Sequence, residues 1–237
     1  MKGAWIPNTL TLGNLACGFV SIVYAGFGTW EGKIVAAVLI LLAALLDGLD
    51  GQVARRLGVE GPMGKELDSL ADCVTFGVSP AYLTYKTYLS GITLTLGAHP
   101  FDLGILIAVA FPVCAAYRLA RFNVKSSPGP FTGLPSPIAG SLAALAPLTI
   151  PAEAVPVPLF AAFFLFIGFL MVSTVSYSKP QSVLLKNIQG LKLAGLVVLM
   201  ILLVLRFRFR IILLAILLYV LSGLVSYVVK VIENRRY

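Results

Sequence analysis

Charge is what this chain has least of. Only 12% of its 237 residues are Asp, Glu, Lys or Arg, against roughly 25% in soluble domains. A chain so poor in hydrated groups cannot clothe a water-soluble surface. Histidine is almost missing too. His99 is the single one and stands beside Pro100 in a predicted loop without a metal partner nearby, so no catalytic or ligand role is expected of it. The three cysteines, Cys17, Cys73 and Cys114, are odd in number and sit inside apolar runs. They read as small packing residues. Residues Met1–Asn8 lack a charged region followed by a small-residue cleavage site, so no cleavable signal is expected. No internal repeat is evident.

What fills the sequence is apolar: 59% hydrophobic residues and a mean hydropathy of +0.95. Apolar runs of about 20 residues mark membrane spans, and the sequence offers eight: 8–28, 32–55, 66–89, 101–123, 134–150, 156–177, 189–205 and 208–231. The fifth is short and begins near Pro135 and Pro137. The linkers are short as well: Arg56–Lys65, Lys125–Pro135 and Ser178–Gln189. A single membrane domain, 1–237, is expected.

An even number of spans places both termini on one side. Of the 18 lysines and arginines, only Lys33, Lys86, Arg206, Arg208 and Arg210 fall on the other. The positive-inside rule then makes the richer side cytoplasmic. The run Arg206-Phe-Arg208-Phe-Arg210 breaks the rule, either because it binds lipid headgroups or because the last two spans are misplaced. The excess of 18 basic over 10 acidic residues suits cytoplasmic loops near anionic lipid, and no nucleic-acid partner is expected.

The few acids are concentrated. Asp47, Asp50, Asp68 and Asp72 lie among apolar residues in 45–77. By insertion scales one mid-bilayer aspartate costs about 2.5–3.5 kcal/mol, so four facing lipid would cost on the order of 10 kcal/mol. They must face a wet, protein-lined cavity and be neutralised by something cationic. At roughly 100° per residue, Asp47, Asp50, Gly51 and Ala54 share one helical face, with Arg55 about a quarter turn away. Gly64, Asp68 and Asp72 form a second stripe at i to i+4 spacing. Facing helices with such pairs could hold two divalent cations, the arrangement used for displacement at phosphorus. The donors are hard oxygens, suiting Mg²⁺, Mn²⁺ or Ca²⁺ and disfavouring zinc. Gly51 and Gly64 leave room for a bulky ligand, and Arg55 is a natural phosphate partner.

A second segment, Ala116–Val124 followed by Phe131–Pro137, sets Arg118 and Arg121 at i to i+3 near the cytoplasmic end of the fourth span. They either anchor the helix end by snorkelling or bind a small anionic group such as an acceptor carboxylate. Pro135 and Pro137 break the helix and let backbone groups line a cavity.

The eight residues Asp47, Asp50, Gly51, Ala54, Arg55, Gly64, Asp68 and Asp72, at these spacings across 26 positions, resemble the signature of the CDP-alcohol phosphotransferase family. The run Arg118-Leu-Ala-Arg121-Phe-Asn123, the Gly133-Leu-Pro135-Ser-Pro137 turn and the opening Ile6–Asn14 resemble its phosphatidylserine synthase branch. These matches reach to about residue 140.

The resemblance implies an all-α integral membrane enzyme with about eight transmembrane helices around a polar, metal-containing cavity open to the cytoplasm. It implies a catalytic core over about 5–178, two further helices over about 189–231, and a homodimer in the cell membrane. It also implies transfer of the phosphatidyl group of CDP-diacylglycerol, or an ether-lipid equivalent, to L-serine with release of CMP. Asp47, Asp50 and Asp68 would fix Mg²⁺ or Mn²⁺, as one ion or two, with Asp72 touching both metal and acceptor as general base. Gly51, Ala54, Arg55 and Gly64 would form the nucleotide face, with Asn8 and Thr11 reaching the cytidine or its phosphates. Arg118, Arg121 and Asn123 would hold serine. Glycerol-3-phosphate or an inositol phosphate would also want arginines, so those acceptors stay open. A cation transporter with a carboxylate site would need neither Arg55 nor the glycines, and the intact signature argues against an inactive scaffold.

Overall fold

The computed structural model describes residues 3–96, 99–124, 131–177 and 209–234. Helix α1 (Trp5–Gly26) carries Pro7 near its start. It gives way at Gly28, whose φ of +69° suits a residue without a Cβ. Thr29 then caps α2 (Trp30–Leu57), accepting a hydrogen bond from the Gly32 amide at 3.1 Å. Arg55 and Arg56 sit in the last turn of α2, where the helix dipole favours cations. Gly58 (φ +62°) ends it in the left-handed conformation, its amide facing the Ala54 and Arg55 carbonyls. Pro62 opens α3 (Pro62–Asp72).

The chain does not stop being helical at Asp72. It continues through a π turn (Cys73–Val78), α4 (Ser79–Thr84) and a second π turn (Tyr85–Leu89). The expected span 66–89 is therefore a helix widened twice. A short ribbon of β1 (Thr93–Leu96) and β2 (His99–Asp102) follows, and Asp102 caps α5 (Leu103–Val124) through the Gly104 amide at 2.9 Å. Helices α6 (Ser136–Thr149) and α7 (Val157–Val172) come next. A second ribbon pairs β3 (Phe131–Thr132) with β4 (Ser176–Tyr177). The last described helix is α8 (Arg210–Asn234).

The protein is thus mostly helical, and among the described residues α1, α2, α5 and α8 are long and apolar enough to cross a membrane. The expected span 189–205 and the linker Ser178–Gln189 lie outside the described residues. An all-helical fold overlooked the two ribbons. Both are too short to register as apolar alternation.

The fifth expected span, 134–150, is a helix of 14 residues, about 21 Å at 1.5 Å per residue and short of a bilayer core of roughly 30 Å. Its role is central packing. The stretch Gly140–Pro147 is buried without interruption. Between membrane helices small residues replace the hydrophobic effect by letting backbones touch, and Gly140 does so against Phe76. A Cβ there would lie 2.9 Å from the Phe76 Cα and carbonyl oxygen. Changing Gly140 to Val should cost about 1–3 kcal/mol by overpacking, read as a lower melting temperature in detergent. An unchanged melting temperature would mean the two helices separate freely.

Outside this centre, Phe111 stacks on Phe164 at 4.6 Å and Tyr88 on Phe160 at 3.8 Å. Large apolar side chains such as Phe19, Leu45, Phe169 and Leu218 point outward, as expected of a surface solvated by lipid rather than water.

Candidate active site

The α2–Gly58–α3 hairpin folds the two aspartate stripes onto each other. Oxygens of Asp47, Asp50 and Asp68 lie within 4.8 Å of one another. Asp72, one turn beyond Asp68, stands close enough to interact with both Asp47 and Asp68. Among the described residues no lysine or arginine makes an ion pair with any of the four. Asp68 Oδ1 is buried without a hydrogen-bond partner among them. Four converging carboxylates, one with an orphaned oxygen, fit a divalent cation held by hard donors. The donor set contains no nitrogen or sulfur.

Beside the cluster is a cavity of about 770 Å³. Its lining gathers Asn8, Thr11, Gly51, Ala54, Arg55 and Gly64 with Asp50 and Asp68. The whole expected nucleotide face therefore shares one space with two of the aspartates. The Thr11 hydroxyl donates to Asp50 Oδ2 at 2.6 Å, fixing that carboxylate from α1. Gly64 faces Asn8, whose Oδ1 would stand 3.5 Å from an added Cβ. A second cavity of about 720 Å³ touches Lys33, Thr87, Glu153 and Arg210. Lys33 is on α2, about 21 Å of helix from Asp47, so this space is away from the carboxylates. Arg206 and Arg208 lie outside the described residues.

Asp72 is buried, and its Oδ1 accepts a hydrogen bond from Asn14 Nδ2 at 3.3 Å. Asn14 is itself fully buried, and its backbone carbonyl accepts from the Thr75 hydroxyl at 3.0 Å, on the π turn just after Asp72. Sequence reasoning gave Asn14 no role. Its only signal was a place in the N-terminal run. Gly18 permits this closeness, since a Cβ there would strike Thr75. Single π-helical turns inside α-helices are frequent at functional sites, and this one begins directly after Asp72.

The structure parts the two arginines. Arg118 is buried, 7% exposed. Its Nη1 donates to the Ser136 hydroxyl at 2.8 Å, and its Nε has no partner among the described residues. It is close enough to Asp72 to interact electrostatically. Arg121 points elsewhere. Its Nη1 donates to the Val172 carbonyl at 2.6 Å, and its Nη2 reaches the Thr132 and Ser173 carbonyls at 3.2 and 3.3 Å. It thereby ties the free carbonyl end of α7 to the loop that leads into α6. The Asn123 amide donates to the Ser69 hydroxyl at 2.9 Å, and Lys65 Nζ donates to the Asn123 carbonyl at 3.2 Å. Asn123 thus joins α5 to α3. Ser136, at the first turn of α6, is a polar contact that the sequence reading left without a role.

Residues 4–222 match the family model described as CDP-alcohol phosphatidyltransferase. Three similar curated proteins are each named CDP-diacylglycerol–serine O-phosphatidyltransferase. The one from Mycobacterium leprae is 40% identical over 154 residues, covering 61% of this chain and 47% of that protein. The Bacillus subtilis protein is 40% identical over 138 residues, covering 57% and 71%. The Methanocaldococcus jannaschii protein is 34% identical over 174 residues, covering 73% and 74%. The match to the first therefore spans about half of that relative's length, and to the other two nearly three quarters.

Proposed function

The chain belongs to the CDP-alcohol phosphatidyltransferase family, and from that premise we propose that it transfers the phosphatidyl group of CDP-diacylglycerol, or its ether-lipid equivalent, to L-serine, releasing CMP. The observation that carries the choice of acceptor is a buried Arg118, its Nε without a partner among the described residues, within electrostatic reach of Asp72. One can take a hydroxyl proton and the other can hold a carboxylate. L-serine carries both groups on a three-carbon frame.

The serine hydroxyl oxygen attacks the phosphorus that bears the diacylglycerol, and the bond from that phosphorus to the CMP oxygen breaks. Asp72 accepts the hydroxyl proton as the new bond forms. Asn14 holds one Asp72 oxygen, leaving the other for the acceptor. Arg118, kept in place by Ser136, orients serine through its carboxylate. Arg121 keeps the α6 entry loop against α7, and Asn123 keeps α5 against α3, so that Arg118 faces Asp72. Gly51, Ala54 and Gly64 leave space for the cytidine, while Arg55 and Asn8 offer donors to its phosphates and Thr11, its hydroxyl hydrogen given to Asp50, lines the same space. Asp47, Asp50 and Asp68, with Asp72 beside them, would hold Mg²⁺ or Mn²⁺, as one ion or two. When bound, the metal supplies positive charge that offsets the charge gathering on the pyrophosphate.

The cavity would open to the cytoplasm, with about eight spans in all: a catalytic core over about 5–178 and two C-terminal helices over about 189–231, the second of them α8. The working unit would be a homodimer, checked by the mass of the detergent-solubilised protein. Purified protein given CDP-lipid with serine, glycerol-3-phosphate, inositol or inositol phosphate, scored by CMP release, tests the assignment. Release with serine alone supports it, release only with a phosphate acceptor replaces it, and no release with any acceptor returns the carboxylate site to a transporter.

Changing Arg118 to Ala should raise the Michaelis constant for serine roughly ten- to a hundredfold, since a charge-assisted contact is worth about 1.5–3 kcal/mol. The constant for CDP-lipid should hardly move. A rise confined to CDP-lipid would place this guanidinium on the pyrophosphate.

A further inference from the structure

We infer that α8 completes the acceptor pocket, with Tyr219 stacked on Tyr177 forming the wall beside Arg118 that recognises a zwitterionic amino-acid head group. This rests on the serine reading above.

The wall is built from three places in the chain. Tyr177 lies on β4, whose partner β3 (Phe131↔Tyr177) leads directly through Gly133 and Pro135 to Ser136, the residue that holds Arg118. The Tyr177 side chain is 1% exposed, yet its hydroxyl has no hydrogen-bond partner among the described residues. Helix α8 comes right up to it because Gly223 has no side chain. A Cβ there would strike the Tyr177 ring. The rings of Tyr177 and Tyr219 stack with centroids 5.7 Å apart at 29°. The Tyr219 phenol and the Arg118 guanidinium are close enough to interact electrostatically. Val220 is buried in the common core, with Leu213, Ile216 and Leu217 packed against it, so α8 is a seated part of the site.

Two buried polar groups, Arg118 Nε and the Tyr177 hydroxyl, therefore lack partners among the described residues, and Tyr219 lies beside both side chains. Buried polar atoms are nearly always satisfied, by protein, water or ligand. An N–H donor beside phenols, which both donate and accept, suits a carboxylate together with an ammonium group. It suits a phosphate dianion poorly. Arg121 is already engaged with carbonyls, so a phosphate dianion would meet a single guanidinium.

The test uses the full-length protein with Tyr219→Phe and Tyr177→Phe, each assayed by CMP release at saturating CDP-lipid. One lost neutral hydrogen bond corresponds to roughly a three- to tenfold change. We expect that fall in kcat/KM for serine, mostly through KM, with the CDP-lipid KM and the melting temperature unchanged. The ammonium-free analogue 3-hydroxypropionate should be a poor acceptor for the native protein and should lose less than serine on either substitution. A purely structural role would lower both acceptors alike. Should Tyr177→Phe fail to fold, Tyr219→Phe carries the test. Serine kinetics unchanged in Tyr219→Phe overturn the wall while leaving the serine reading intact. Native protein that releases CMP only with a phosphate acceptor overturns both.

Discussion

Replacing Asp72 by Asn is expected to lower kcat by roughly 10²–10⁴, the usual worth of a general base. The amide keeps the shape of the carboxylate, and the Asn14 amide still has an oxygen to meet at the Asp72 Oδ1 position, so binding of CDP-lipid should change little. Asp68→Asn should behave differently. Its partnerless oxygen belongs to the Asp47–Asp50–Asp68 cluster, so metal and nucleotide affinity should fall together. Rapid-quench measurement of CMP release separates the chemical step from binding. If Asp72→Asn turns over near the native rate, another group removes the proton.

Chelation should abolish CMP release. Four carboxylates meet without a lysine or arginine ion-paired to them among the described residues, and a site so charged needs a cation before it can take up a pyrophosphate. Activity after metal stripping should drop to background, more than about a hundredfold, and return with Mg²⁺ or Mn²⁺ but not Zn²⁺, since the donors are all oxygen. A readout independent of turnover is thermal stability. An ion at about a hundred times its dissociation constant adds about 2.7 kcal/mol to the folded state, so the melting temperature in detergent should rise with Mg²⁺. Full activity in excess EDTA would remove the metal from the reaction.

The donor-rich half of this site was legible because it is local. Asp47, Asp50, Asp68 and Asp72 repeat at helical spacing on two arms of one hairpin, and the glycine-proline turn between them marks where the arms fold. Their convergence needed no knowledge of the remaining helices. The same periodicity puts Gly51 and Ala54 on the aspartate face, and the nucleotide role of these residues with Arg55, Gly64, Asn8 and Thr11 came from the family resemblance. The acceptor side was hidden for the opposite reason. Arg118 and Arg121 look equivalent at i to i+3, and what separates them is a set of carbonyls 50 to 52 residues away. Tyr219 lies beyond every motif. Hydropathy did not foresee how short α6 is, because a helix wrapped by protein need not be as long as the bilayer. The two π turns leave no hydropathy signature at all.

The hairpin's locality bears on biogenesis. A loop that joins neighbouring helices costs little entropy to close, and contacts near in sequence form fastest. The carboxylate cluster and its threonine and asparagine supports are complete once residues 8–75 are in the membrane. On the proposed serine reading, the acceptor side waits for α5, α6, β4 and α8. The metal-binding half of the site is thus encoded in one continuous stretch of chain, and the acceptor half is assembled from segments far apart in sequence.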